Sequence, residues 1–426
     1  MSTRIPLGRA HMLAATAIRE ARRAGLPTDV LTPVGSLRRH APAVGDVSLL
    51  AVIEPRLQGE LFDGFARLPM VTRVTGRTPG SVTVATDRGA VVLHAALPEH
   101  VGAALAWHTG SRRHTEQLLA RASRMGIDWT PHHLMQGTTP LATANEEAFY
   151  ESLALPFIPP ELREGGGEIE AAERGELPDL VTDLHIRGDL HMHSTWSDGR
   201  DSIETMALAC RELGYEYIAI TDHSQRAWSS RKLALEDVPR QRDELEGVRA
   251  RIPGIQILHG VEVDILKDGT LDFDDQVLSG FDIVLASLHD HGGQDAHVLT
   301  ERYLKAIRHP LVNVITHPAN RSPALSDGYD VDFDEMFAVA VETGTAMEVD
   351  GAPGHLDMDG ELARRAATAG VTIAIDSDCH RAEALGRQMR FGVGTARRGW
   401  IEATDVLNTK GLPTVREFIA RKRAGR

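Results

Sequence analysis

The chain has 426 residues, 42% hydrophobic and 25% charged, which is the composition of a globular protein large enough for two or three domains. A formal net charge of −14 argues against a protein that coats nucleic acid through bulk basicity. No apolar run reaches the roughly 20 residues of a membrane span, the opening residues lack a secretory signal pattern, and two cysteines cannot build a disulfide framework, so the cytoplasm is expected.

In chain order, an amphipathic helix is expected over about residues 8–24, in a segment where residues 1–40 carry seven arginines against Glu20 and Asp29. Strand-like runs follow: "DVSLLAVIE", "VTRVTG", "SVTVAT" and "AVVLHAAL". Residues 99–160 read as helical, through "HVGAALAWHTGSRRHTEQLLARASRMG" and then "TANEEAFYESLAL", which opens on a capping Thr/Asn. The Pro-, Gly- and Glu-rich "PFIPPELREGGGEIEAAERGELPDL" reads as a connector, placing a boundary near residue 185. From 187 onward strands alternate with helices: "GDLHMH", "YEYIAIT", "IQILHGVEVDI", "FDIVLAS", "VNVIT", "AMEVD" and "VTIAID" are the seven strand-like runs. That alternation is the mark of a parallel βα barrel one strand short of the usual eight, with its chemistry at the C-terminal strand ends.

The ligand-type residues fall at those ends. His191 and His193 sit two apart on the first strand, followed by Asp198; His223 ends the second; Glu262 lies in the third; His289, His317, and then Asp378 and His380 follow later strands. Imidazoles and carboxylates are the donor set of zinc, manganese and iron, and so many acids at one rim need a cationic partner. Nine donors exceed the roughly four to six of one ion, so two or three ions sharing a bridging carboxylate are expected. Taken singly, any one histidine is more often structural; His259 and His291 are read that way, Asp222 as a helix cap, and Cys379 as pointing away from its neighbours.

The motifs "HMHSTWSDG", "TDHS", "GVEVDI", "SLH", "THP" and "DSDCH", spread over residues 187–398, resemble the polymerase-and-histidinol-phosphatase (PHP) superfamily of distorted seven-stranded barrels. The resemblance implies three divalent ions, zinc, manganese or iron. One would be held by His191, His193, Glu262 and Asp378, a second by Asp198, His223 and His380, and a third by Glu262 with His289 and His317. Metal-assisted phosphoester hydrolysis is then the expected reaction, with Glu262 and Asp198 at the reacting centre. Arg321 is either a phosphate clamp or a surface residue.

The first half narrows the substrate. "GSLRRHAPAVGDVSLL" resembles the nucleotidyltransferase palm of bacterial family X DNA polymerases, and "WHTGSRRH" their thumb; a helix-hairpin-helix module ahead of the palm is expected to be absent. The implied architecture is α/β: a palm-like domain over 1–98, a thumb-like subdomain and connector over 99–185, and a PHP barrel over 186–426. Nucleotidyl transfer needs two metal ions on three carboxylates. Asp46 stands at the first position, Ser48 at the second, and the third falls at Leu93, so polymerase activity is expected to be lost. Ser36, Arg39, Ser111 and Arg112 are either remnant phosphate or nucleic-acid contacts or structural. The expected substrate is DNA, single-stranded or at a 3′ end, cleaved by a 3′–5′ exonuclease or 3′-phosphatase. Alternatives are a small phosphate monoester of the histidinol-phosphate type, and a purely binding role for the first half.

Overall fold

The computed structural model describes residues 4–27, 31–227, 229–290 and 293–425, and the chain divides into two units, Met1–Leu177 and Pro178–Arg426. No helix among the described residues is long and apolar enough to cross a membrane.

In the first unit the helix Leu7–Arg23 buries Leu7, Ala10, Leu13, Ala14, Ala17 and Ala21 and leaves Arg9, Arg19, Arg22 and Arg23 in solvent. It accompanies a five-stranded sheet in the spatial order Leu31–Val34, Val47–Val52, Gly89–Ala96, Ser81–Thr86, Arg73–Thr78. The strand Leu31–Val34 escapes the sequence reading because it is short and contains Pro33, which only an edge strand tolerates. The long helical run is two helices, Val101–Thr109 and Arg112–Arg124, broken at Gly110 (φ 36°) and restarted by Ser111, whose hydroxyl accepts from the His114 amide. Asn145 caps Glu146–Ser152 as its position suggests. The connector is itself folded: it holds the helix Glu168–Arg174 and the fully buried Arg163.

The second unit is a seven-stranded parallel sheet in sequential order: β1 (Gly188–Asp189), β2 (Tyr217–Ile220), β3 (Gln256–Asp264), β4 (Ile283–Ser287), β5 (Val314–Ile315), β6 (Ala346–Asp350) and β7 (Ile373–Asp376). All six neighbouring pairs are parallel. The first and last strands meet through a Met192–Cys379 bridge, so the sheet nearly closes into a barrel.

Period-two alternation divides the barrel interior along its axis. Leu258, Leu285, Val314, Ala346 and Ala374 fill one end, packed with Leu412, Val415 and Ile419 of the terminal helix Leu412–Arg423. Two or four residues further along the same strands the inward positions become Glu262, Ser287, Thr316, Glu348 and Asp376, all buried. The interior is therefore apolar at the strand starts and acidic at the strand ends. Outward-facing Ile218, Val261, Val284, Ile315, Val349 and Ile375 pack beneath the surrounding helices.

The seam between β1 and β7 is stitched by Asn408. Its Nδ2 donates to the Gly188 carbonyl at 2.9 Å and the Ile375 carbonyl at 2.5 Å, and its Oδ1 accepts from the Ile375 amide at 3.0 Å. Asn408→Ala strands three buried backbone groups and is expected to cost about 3 kcal/mol, read as a lowered urea midpoint of the barrel transition. An unchanged midpoint would mean that the bridge between the outer strands closes the barrel by itself.

Candidate metal centre

All nine predicted donors converge at the acidic end of the barrel. His191 Nε2 and His193 Nε2 lie 3.2 Å apart, and Asp378 Oδ1 approaches them at 3.6 and 3.1 Å. Glu262 Oε2 completes that group at 3.5 Å from His191 and 3.6 Å from His193. Asp198 Oδ1 lies 3.6 Å from His223 Nε2 and 3.2 Å from His380 Nε2. The His193 ring is stacked between those of His223 and His380, with centroids 4.3 Å away on each side. The other oxygen of Glu262 faces His317 Nε2 at 3.0 Å and His289 Nε2 at 3.6 Å. Donor atoms of His193, Asp198, His223 and His380 fall within 4.8 Å of one another, as do those of His191, His193 and Asp378, and of His223, Glu262 and His289.

Local structure explains the convergence. Glu262 faces inward because β3 alternates through Leu258, Gly260 and Glu262. Asp222, read as a helix cap, instead pins the loop after β1: its carboxylate accepts from the amides of Ser194 and Ser197, both their hydroxyls, and Gln241. That loop turns at Gly199, where a Cβ would sit 2.5 Å from the His193 carbonyl, so Asp198 reaches the rim only because a glycine follows it. His317 (φ 26°) and Asp378 (φ 45°) adopt left-handed backbone, strain of the kind that collects at functional sites.

Sequence reasoning missed the groups that hold the donors. Glu348 accepts from His191 Nδ1 and from the His317 amide, both at 2.7 Å, and Asp264 faces His289 Nδ1 at 2.5 Å. A signal was present: Asp264 lies two residues beyond Glu262 on β3, and Glu348 is the central inward residue of β6. Carboxylates behind metal-binding imidazoles fix tautomer and orientation. Glu348→Gln is expected to weaken Mn²⁺ binding roughly 10–100-fold while the protein stays folded, measured by titration calorimetry beside a thermal melt.

His259 is structural, with one ring nitrogen on Gln241 at 2.9 Å, the other 3.4 Å from Arg242, and burial pushing its pKa down to about 4. His291 lies outside the described residues. Cys379 points away from the donors, with Sγ donating to Gln388 Oε1 and to the Arg381 carbonyl. Arg321 is engaged on the rim by Asp359, at 2.7 Å.

The electrostatics fit a cationic occupant. Burial disfavours ionised Glu262 and Asp378, yet the imidazoles around them hold both well below the usual carboxylate range. In turn, burial opposes charge on the rings, but Glu348 and Glu262 lift His191 above the ordinary value, Glu262 does the same for His223, His289 and His317, and Asp198 helps raise His380 to about 9. His193 goes the other way, to about 3, through burial and the neighbouring His380 and His223. Glu262 Oε2 and Asp198 Oδ1 are buried and make no hydrogen bond of acceptable geometry. Acceptor atoms and ring nitrogens aimed at common points are what divalent ions take up, releasing those protons.

In the first unit the palm-like residues have other partners. Register pairs Ser48 with Val92, while Leu93 is opposite Leu49 and buried, so the residue beside Ser48 on the neighbouring strand is Val92 rather than Leu93. The Ser48 hydroxyl donates to Asp46 at 3.2 Å. Arg38 binds Thr109 and Glu146, Arg39 binds Glu164 and the Thr109 carbonyl, Ser111 is a helix cap, and Arg112 pairs with Glu116.

Residues 189–320 match the PHP domain family, and residues 104–164 the DNA polymerase beta thumb family. Over 393 residues the chain is 37% identical to a Bacillus subtilis (strain 168) protein named DNA polymerase/3'-5' exonuclease PolX, spanning 91% of this chain and 68% of that one. The chain belongs to the PolX family. This PolX-family chain is also 29% identical over 247 residues to a Thermoanaerobacter sp. (strain X514) protein named as a probable phosphatase, spanning 55% of this chain and 95% of that one. A Shewanella sp. (strain ANA-3) protein named in the same way is 30% identical over 216 residues, spanning 48% and 77%. The barrel is a hydrolytic, metal-dependent phosphoesterase domain in this PolX-family chain.

Proposed function

We propose that the chain is a divalent-metal-dependent phosphoester hydrolase acting on DNA ends, as a 3′–5′ exonuclease or 3′-phosphatase. The observation that carries this is the convergence of nine imidazole and carboxylate donors at the acidic end of the barrel. Three ions, zinc, manganese or iron, would be held as the resemblance implies: by His191, His193, Glu262 and Asp378; by Asp198, His223 and His380; and by Glu262, His289 and His317. Bound there, such ions neutralise phosphate charge and lower the pKa of attacking water. Glu262 offers one oxygen to each of two groups, and Asp198 draws His223 and His380 together. Arg321 can exchange Asp359 for a substrate phosphate and so serve as a clamp.

DNA is favoured by the thumb-family match, by the PolX relative, and by the exposed arginine row of Leu7–Arg23. On this reading residues 1–98 are a palm-like domain, 99–185 a thumb-like subdomain and connector, and 186–426 the PHP domain; the two buried free thiols fit a reducing cytoplasm. A single carboxylate, Asp46, beside Ser48 and Val92 cannot hold two ions. No nucleotide incorporation is therefore expected on a primed template with Mg²⁺ or Mn²⁺, and primer extension above background would refute it.

Metal-loaded protein incubated with 3′-labelled single-stranded DNA and, separately, with small phosphate monoesters tests the substrate. Release of label from the DNA end is the expected result, with a rate falling steeply as salt rises. The phosphatase-named relatives support a second reading, a small phosphomonoester substrate. Hydrolysis of the monoesters alone would select it.

A further inference from the structure

We propose that Asp350, His355 and Asp378 form a further divalent-cation site beside the nine-donor centre. The proposal rests on reading that centre as a metal site, because the two would share Asp378. Neither Asp350 nor His355 belongs to the nine.

Asp350 ends β6 on the inward face that already carries Ala346 and Glu348, and its side chain is fully buried. Its Oδ1 accepts from the Ala352 amide, but Oδ2 has no hydrogen-bond partner among the described residues. His355, on the loop after β6, stacks on the His317 ring with centroids 5.1 Å apart and planes 20° apart. Its Nδ1 is also buried and unpartnered. One donor atom from each of Asp350, His355 and Asp378 lies within 4.8 Å of the others. Metal–ligand bonds of about 2.0–2.4 Å allow donors of one ion to be that far apart and little more.

Charge points the same way. Glu348, Asp350, Asp376 and Asp378 are buried acids on two neighbouring strands or directly after them. Glu348 is satisfied by His191 and the His317 amide, and Asp376 accepts on Oδ1 from the Leu190 amide and from Asn408, while its Oδ2 is buried without a partner among the described residues. The second oxygen of Asp350 is likewise unpartnered among the described residues, and an orphaned buried carboxylate oxygen is costly; unlike Asp376, Asp350 lies in a donor group with His355 and Asp378. A cation held by Asp350 and His355 would compensate the buried carboxylate and would share Asp378 with the nine-donor centre. Two carboxylates and one imidazole suit Mn²⁺ or Zn²⁺.

The rival account is a protonated Asp350 with no ion. Asp350→Asn separates the two, because it keeps the shape and the acceptor for the Ala352 amide while removing the charge. Crystals equilibrated with MnCl₂ should give an anomalous peak bounded by Asp350, His355 and Asp378, besides those within the nine-donor centre. Elemental analysis of Asp350→Asn and of His355→Gln should each show one Mn²⁺ fewer per chain than the wild type, with the other peaks retained. Peaks at the nine donors with none at Asp350 would overturn the inference and leave the main centre standing. So would unchanged manganese content in both folded variants. Manganese at neither place would overturn the reading of the nine donors as well.

Discussion

Glu262→Gln is expected to lower metal-dependent hydrolysis on the order of 1,000-fold, beyond the 10–100-fold typical of an outer partner of a ligand. The carboxylate stands among five imidazoles: His223 at 2.7 Å, His317 at 3.0 Å, and His191, His193 and His289 at 3.5–3.6 Å. Glutamine keeps the shape but offers one oxygen and no charge, so the proposed ion sites on either side would lose their common ligand. Manganese content of the purified variant should fall along with the rate, while the circular dichroism spectrum stays that of the wild type. A variant retaining more than a tenth of the activity would remove Glu262 from the centre of the chemistry.

The largest stability effect is expected far along the chain from this chemistry, at Glu146. Its two oxygens meet Arg163 Nη1 and Arg38 Nη2, each at 2.5 Å. Arg163 is wholly buried, packed over the rings of Tyr150 and Phe157, with Nε on the Ile158 carbonyl. Glu146→Ala leaves that guanidinium without its counter-charge and should destabilise the first unit by about 3–5 kcal/mol. Burial works against ionised Glu146, but Arg163 and Arg38 together hold its carboxyl below the ordinary value of 4.5. A carboxyl depressed in the folded state contributes stability that is complete above the unfolded pKa and lost as pH falls through the folded one. The gap in melting temperature between wild type and variant should therefore be full at neutral pH and shrink below about pH 4.5. A gap that did not change with pH would show packing, rather than charge, to be what Glu146 contributes.

The barrel and its donors were legible for one reason: both follow strict periods. Seven strand-like runs each appear as a strand, and Glu262, His289 and His317 lie where alternation and strand ends place them. Residues acting through long-range contacts were not legible. Asn408 closes the barrel from a 3₁₀ turn with no regular period, and Asp222 organises the loop that bears Asp198 although its position reads as a cap. Glu348 and Asp350 had a readable alternation in "AMEVD", but without their partners they look like ordinary strand acids. In the first unit the shift from Leu93 to Val92 is a matter of register, which only the pairing of two strands fixes. Arg39 reads as either a phosphate contact or a structural residue until its partner Glu164, more than a hundred residues away, is seen.

The closure of the barrel by Asn408 and the terminal helix also bears on how the protein is made. A ribosome has made the first unit and all seven strands while Asn408, Leu412, Val415 and Ile419 are still unsynthesised. Until they emerge, the open seam presents unpaired strand edge and the apolar end of the sheet is uncovered, the surfaces on which nascent chains aggregate. Translation stalled before Asn408 would thus yield a chain with every predicted metal ligand present and no finished vessel to hold them.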